Sequence, residues 1–338
     1  MSGDITGIKF RPGRKRQNEP GTRKPRATTR IRERLQPYAL QLAPGVHRLM
    51  LTRAALALMW LLRLLPLRLL AAIGAGFGTL LYAFGRERRR ICLINLARCL
   101  PELSARERDA LARRHFQAFA RTFLERAILW WASPARIRRL VRIEGTEHFQ
   151  AVRGGPLILL APHFVGLDMG GARLCMEFDM VSIYSRQKNE VFDAVLYAGR
   201  MRFGRLTLLS RQQGVRPALR AMQAGLPFYY LPDMDYGQRD TIFVPFFGIA
   251  TATITGVSRL ARLAGARVLP CVTRMLPGGE GYVVRFLPAW ENYPGASIEA
   301  DTRRMNDFVE EQVRQMPEQY LWVHKRFKTR PPGEAPWY

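Results

Sequence analysis

The stretch PLILLAPHFVGLDMGG, residues 156–171, decides how this chain of 338 residues is read. A short, uninterrupted apolar run marks a buried strand, Pro162-His163 ends it, Gly166 turns the chain, and Asp168 opens a helix. The same rhythm recurs downstream. Apolar runs at Pro156–Leu160, Met180–Tyr184, Leu206–Leu209, Pro227–Leu231, Ala266–Val272 and Tyr282–Leu287 alternate with helical patterns near 168–177, 190–203, 215–224, 253–264 and 299–315. Strands alternating with helices predict βαβ units, hence an α/β fold with a mostly parallel central sheet flanked by helices. Upstream, residues 91–140 read as helices. Within them Ser104 precedes Glu107 by three, a capping-box signature at the start of a helix reaching Trp131.

In an open α/β sheet, ligands bind beyond the carboxyl ends of the strands. His163 stands just past such an end, with Asp168 five residues on. Across a turn the carboxylate can hold the imidazole tautomer and make it a general base; equally, Asp168 can serve as a plain N-cap. A search for an enzyme nucleophile fails. There is no GxSxG, because Gly256-Val257-Ser258-Arg259-Leu260 lacks the second glycine, and Cys175 falls inside a helical pattern. Two further strand ends carry polar loops: Tyr184-Ser185-Arg186-Gln187-Lys188-Asn189 and Leu231-Pro232-Asp233-Met234-Asp235-Tyr236-Gly237. An arginine there suits an oxyanion or phosphate, or is an ordinary surface charge.

Composition bounds the partners. Fifty-three Lys+Arg against 27 Asp+Glu give a net charge of +26, and 47 of the basic residues are Arg. Either the surface is generally basic or it meets something anionic. Four scattered cysteines exclude a disulfide scaffold, and with no CxxC pair they argue against a structural zinc site. Residues 1–36 hold eleven basic and three acidic residues with interspersed Pro, Gly and Thr, which reads as a disordered basic arm over 1–44. Residues 45–90 follow as an apolar segment. Its longest uncharged stretch, Leu69–Gly85, is near the lower limit for crossing a bilayer, and Arg86, Arg88, Arg89 and Arg90 come next. A single span, a hairpin lying in the interface, or a buried helical hairpin fits this pattern; the first two make it a membrane-associated segment with the rest of the chain cytosolic. Gly74, Gly76 and Gly78 follow no strand and do not form GxGxxG. The remainder, 91–338, is expected to be one unit: a helical lead-in to 150, then an α/β core over 151–330.

In order, the chain carries Arg90 through Asn95-Leu96, Leu100-Pro101-Glu102, Glu125 before Trp130-Trp131, and His163 to Asp168 in HX4D spacing. It continues with Arg186-Gln187-Lys188-Asn189, Pro232 to Gly237, Phe243 to Gly248, Ser258-Arg259-Leu260-Ala261 and Tyr320 to Lys328. This ordered set resembles the lipid A late acyltransferases (lauroyl- and myristoyl-type) within the lysophospholipid acyltransferase superfamily. It departs from them at Met234, where Gln is common, and in the length of the basic arm. The resemblance implies transfer of a fatty acyl chain from acyl carrier protein to a hydroxyacyl chain of a Kdo-bearing lipid A precursor, on the cytoplasmic side of a bacterial inner membrane. It implies His163 as base and Asp168 as its orienting partner. Arg186, Asn189, Asp233 and Asp235 would bind substrate, Arg186 at a donor phosphate or the oxyanion and Asp233 at the acceptor. Neither a metal nor another cofactor is expected. A glycerophospholipid or another glycolipid as acceptor shares the same fold. A non-enzymatic basic protein binding nucleic acid is the rival of another class; it lacks any helix-turn-helix, zinc or RNP-type motif and leaves the apolar segment without a role.

Overall fold

A computed structural model describes residues 46–187, 189–210 and 213–338; the basic arm expected over 1–44 lies outside the described residues. The strand Leu157–Leu160 (β2) is buried at all four positions. Leu157 and Leu159 point to one face and Ile158 and Leu160 to the other, where separate apolar clusters take them up. That two-sided burial is why the run reads as continuously apolar.

Before β2 come helices α1 (Val46–Leu62), α2 (Leu67–Phe84), α3 (Arg86–Cys99), α4 (Ala105–Trp131) and α5 (Pro134–Leu140). Strand β1 (Val141–Glu144) and helix α6 (Thr146–Gln150) follow them. After β2 run α7 (Leu167–Leu174), β3 (Met180–Tyr184), α8 (Glu190–Met201), β4 (Leu206–Ser210), α9 (Arg216–Gln223) and β5 (Phe228–Tyr230). The chain ends with β6 (Thr241–Phe246), β7 (Ile249–Ile254), α10 (Gly256–Ala264), β8 (Arg267–Met275), β9 (Tyr282–Phe286) and α11 (Ile298–Gln315). Seven of the described strands form one sheet in the order β1-β9-β8-β2-β5-β3-β4. Strands β8, β2, β5, β3 and β4 are mutually parallel, as expected of βαβ units.

Three features depart from the sequence expectation. First, β9 pairs antiparallel to β8, not parallel. The connection Leu276–Gly281 is too short for a crossover and turns through Gly278 and Gly279 at φ 60° and 77°. Second, the pattern read as a helix from residue 253 begins only at Gly256, because Thr241–Ile254 form the β6–β7 hairpin instead. Phe247 and Gly248 turn it at φ 50° and 74°, the left-handed pair a two-residue hairpin needs. Third, β1 adds an edge strand beside β9 where none was expected.

The capping box is present at the start of α4. Ser104 Oγ accepts from the Glu107 amide at 3.3 Å, and Glu107 Oε2 accepts from the Ser104 amide at 2.7 Å. Helix α2 packs along α4 with Leu67, Leu70, Ala71, Gly74, Gly78 and Tyr82 buried. A Cβ on Gly74 would sit 2.7 Å from the Arg121 Cα, and one on Gly78 2.4 Å from the Phe116 carbonyl oxygen, so the two backbones meet only through glycine. The opposite side of α2 is bare: Leu69, Ile73, Phe77, Leu80 and Phe84 are exposed, as are Leu58, Trp60, Leu61 and Leu64 before it. By length and composition, α2 is long and apolar enough to cross a membrane. Arg89 donates to the Tyr82 and Ala83 carbonyls, satisfying the C-terminal end of α2.

Candidate active site

Register, not local spacing, builds the site. Leu160 of β2 pairs with Tyr230 of β5, and each strand continues through a Pro to a polar residue three positions on: Pro162-His163 and Pro232-Asp233. Two parallel strands that end in step place these side chains together. Asp233 Oδ1 lies 2.7 Å from His163 Nδ1, and Asp233 Oδ2 accepts the His163 backbone N–H at 2.9 Å. One carboxylate thus fixes both the backbone and the ring. Asp233 is 1% exposed. Burial opposes its charge, but the attraction and hydrogen bonds of His163, with Arg326 adding its charge, hold the carboxyl below the usual range. An ionised carboxylate can only accept, so Nδ1 carries the proton and Nε2 presents its lone pair. The His163 side chain is 20% exposed and lines a cavity of about 1020 Å³.

The frame around the pair is tied from several directions. Phe164 bridges to Tyr320, Gln319 O accepts the Val165 N–H at 2.8 Å, and Tyr320 Oη donates to the Asp233 carbonyl at 3.2 Å. The closing run is itself anchored by Asn95, whose Nδ2 donates to the Trp322 and His324 carbonyls at 2.7 and 2.8 Å. Arg326, 2% exposed, donates to the Ala252 carbonyl of the hairpin at 2.9 Å.

Asp168 does something other than either reading of the sequence allowed. No hydrogen bond joins it to His163 among the described residues, and it makes no side-chain cap on α7. It stands in the first turn of α7 facing α4 and α8, where Oδ1 accepts from Arg200 Nη2 at 2.8 Å and Oδ2 from Arg126 Nη2 at 3.1 Å. Burial works against this charge too, yet the two guanidiniums hold the carboxyl well below the usual range. Arg126, Asp168 and Arg200 line the same cavity as His163. The two arginines had no local signal in the sequence, since each sits mid-helix among ordinary basic residues.

The other expected site residues separate. Arg186 points to solvent and pairs with Glu190 at 3.2 Å and Asp193 at 3.9 Å, outside the cavity lining. Asn189 is the N-cap of α8, its Oδ1 accepting from the Phe192 amide at 3.0 Å. A helix start needs that acceptor, so the side chain is already used. Asp235 reaches the cavity, but its carboxylate holds the C-terminal run: Oδ2 accepts the Thr329 N–H at 2.6 Å and Oδ1 the Thr329 hydroxyl at 2.9 Å. His324 also lines the cavity, where burial keeps it neutral with a pKa pushed down to about 4.

The candidate nucleophiles are spoken for. Cys175 is buried, and burial pushes its thiol up to about 12. Ser258 donates to Asp301 at 2.6 Å on α10, and Ser182 donates to the Tyr229 carbonyl at 2.9 Å. What the geometry offers is an oriented base lining a large cavity with no activated nucleophile among these residues, which suits deprotonation of a hydroxyl brought in by a substrate.

The chain is similar over most of its length to known acyltransferases. Residues 45–329 match the model of the bacterial lipid A biosynthesis acyltransferase family. The lipid A biosynthesis lauroyltransferase of Escherichia coli is 33% identical over 84% of this chain and 93% of its own length. The palmitoleoyltransferase of the same organism is 30% identical over 85% of this chain and 94% of its own. Its myristoyltransferase is 33% identical over 79% and 82%. By this match over most of its length, the chain belongs to the bacterial lipid A biosynthesis acyltransferase family.

Proposed function

We propose that this acyltransferase moves a fatty acyl chain from the thioester of acyl carrier protein to the hydroxyl of a hydroxyacyl chain on a Kdo-bearing lipid A precursor, by direct transfer. The observation that carries the reading is the 2.7 Å contact of His163 Nδ1 with buried Asp233, which aims a basic Nε2 into the cavity. His163 Nε2 takes the acceptor hydroxyl proton as the oxygen bonds to the thioester carbonyl carbon. Asp233 stays ionised and stabilises the imidazolium that forms. The tetrahedral intermediate then collapses, the carbon–sulfur bond breaks, and the imidazolium returns its proton to the leaving thiolate. Asp233 therefore takes over the orienting role that HX4D spacing suggested for Asp168. No cofactor enters these steps.

The basic surface favours an acidic protein donor, chiefly through encounter rate. For localisation, the bare apolar side of α1 and α2 suits the lipid of a bacterial inner membrane. Arg86, Arg88, Arg89 and Arg90 would lie on the cytoplasmic side with the catalytic unit. Because α4 occupies the glycine side of α2, an interfacial placement in one leaflet fits this packing better than a lone span.

The test is purified protein in detergent with acyl carrier protein or coenzyme A thioesters as donors. The acceptors are a Kdo-bearing lipid A precursor, its Kdo-free form and lysophosphatidic acid. Preferential use of the carrier protein and the Kdo-bearing acceptor is expected. Acylation of lysophosphatidic acid in preference to both lipid A precursors would overturn the acceptor assignment.

A further inference from the structure

The arginine pair around Asp168 has a property that general-base chemistry does not use. Two guanidiniums, with side chains 25% and 28% exposed, share a single carboxylate that is 16% exposed. The cluster thus carries a net charge of +1, largely withdrawn from water and facing the cavity, with only the Phe123 and Tyr184 rings, among the described residues, beside the two guanidiniums to offset it. Arg126 presents Nη1, and Arg200 presents Nε and Nη1, without a protein acceptor among the described residues. Holding such a charge away from water is costly unless an anion completes it. The fold invests in the arrangement from three helices: Arg126 comes from α4, Asp168 from α7 and Arg200 from α8. Asp168, holding Arg126 through Nε and Nη2 and Arg200 through Nη2, orients the remaining donors. It acts as a positioning residue for the arginines.

We propose that Arg126 and Arg200 form a phosphate subsite in the cavity, binding a phosphate ester of one of the two substrates while His163 works on the hydroxyl. A tetrahedral phosphate has enough acceptor oxygens to meet donors from both guanidiniums, whereas a planar carboxylate is satisfied by one. The proposal rests on the acyl-transfer reading for its substrates. The phosphate comes either from the phosphodiester of the carrier's pantetheine arm or from a phosphate on the acceptor's sugar.

The test has two parts, both with the full chain in detergent. In the first, inorganic phosphate is titrated into wild type, Arg126→Gln, Arg200→Gln and Arg285→Gln. Arg285 lies on β9 and lines no part of this cavity. Affinity should fall about 10- to 100-fold in the first two variants, as loss of one or two charge-assisted bonds implies, and stay unchanged in the third. In the second, kcat/KM is measured with acyl-phosphopantetheine against acyl-pantetheine, and with phosphorylated against dephosphorylated acceptor. Removing the phosphate that docks here should cost wild type about 10- to 100-fold and cost Arg200→Gln nothing further; the substrate showing this loss names the source. Thermal melting accompanies each variant, and Arg126→Gln stands in should Arg200→Gln fail to fold.

Wild-type phosphate affinity in both arginine variants would overturn the proposal. So would an equal loss of rate with and without each phosphate, since that marks a merely structural role. A protein that binds phosphate through these arginines yet transfers no acyl group would instead overturn the acyl-transfer reading and leave the subsite standing.

Discussion

Replacing Asp233 by Asn changes one oxygen to an amide and should undo the site through the ring tautomer. In the native arrangement the carboxylate accepts twice, from the His163 backbone N–H at 2.9 Å and from Nδ1 at 2.7 Å. An asparagine of the same shape has one acceptor and one donor. If its oxygen keeps the backbone N–H, its NH2 faces Nδ1, which must then accept, and the ring proton moves to Nε2. The atom that should take the hydroxyl proton is then already protonated. A tautomer trapped in this way costs about 10⁴-fold in kcat in the Ser-His-Asp enzymes, and a loss of about 10³- to 10⁴-fold is expected here with little change in KM. The lost charge-assisted bond contributes about 1.5–3 kcal/mol, so the melting temperature should drop by a few degrees while the protein stays folded. The assay is initial-rate acyl transfer at saturating donor and acceptor, beside a thermal melt. Asp168→Asn is the matched control. It leaves the His163–Asp233 pair intact and should keep kcat within about 10-fold of wild type even if substrate binding weakens. A folded Asp233→Asn with wild-type kcat, together with a 10³-fold loss of kcat in Asp168→Asn, would refute the assignment and restore Asp168 as the partner of His163.

Two further outcomes follow from packing and burial. Gly78→Leu places a side chain against the α4 backbone, where even a Cβ would stand 2.4 Å from the Phe116 oxygen; a cost of about 1–3 kcal/mol should lower the melting temperature by several degrees. Gly76→Leu, with nothing within 4 Å of its Cβ, should leave it unchanged, and equal effects would refute the close-packed helix pair. For pH, burial pushes both His115 and His324 down to about 4. Because the unfolded chain takes up those protons near pH ~6.5, stability is complete above that value and declines as pH falls toward 4. His115→Gln, whose amide can still donate to the Glu318 carbonyl, should flatten this decline in melts between pH 7 and 5. A wild-type melting temperature that is constant over that range would refute it. The depressed carboxylates Asp233 and Asp168 lose their contribution only below about pH 4, so the two windows are separable.

The centre of the sheet was legible because a strand buried on both faces reads as an unbroken apolar run, as at Leu157–Leu160. The β8–β9 hairpin was missed although Pro277-Gly278-Gly279 was there to be read as a tight turn. The β6–β7 hairpin hid behind Pro245 within a strand and Phe247 in a conformation that usually calls for glycine or asparagine. At the site, His163 could be found from its place at a strand end, but its partner could not be found from spacing within one loop. Asp233 is set by the pairing of Leu160 with Tyr230, seventy residues apart in sequence, and the clue was the repeated Pro before each polar residue. Arg186 and Asn189 looked like substrate groups because they follow a strand. In the folded chain one pairs with its own helix and the other caps it.

The central claim is that His163 is the base for direct acyl transfer, and the rate of His163→Ala tests it most directly. Acyl transfer to the lipid A precursor is measured for wild type and variant in the same detergent, at saturating substrates, with melts confirming that both are folded. A drop of about 10²- to 10⁴-fold is the expected result, because Cys175 is a buried thiol pushed up to about 12 and Ser258 is engaged with Asp301, so neither takes over the proton. Turnover of His163→Ala within a few-fold of wild type would contradict it.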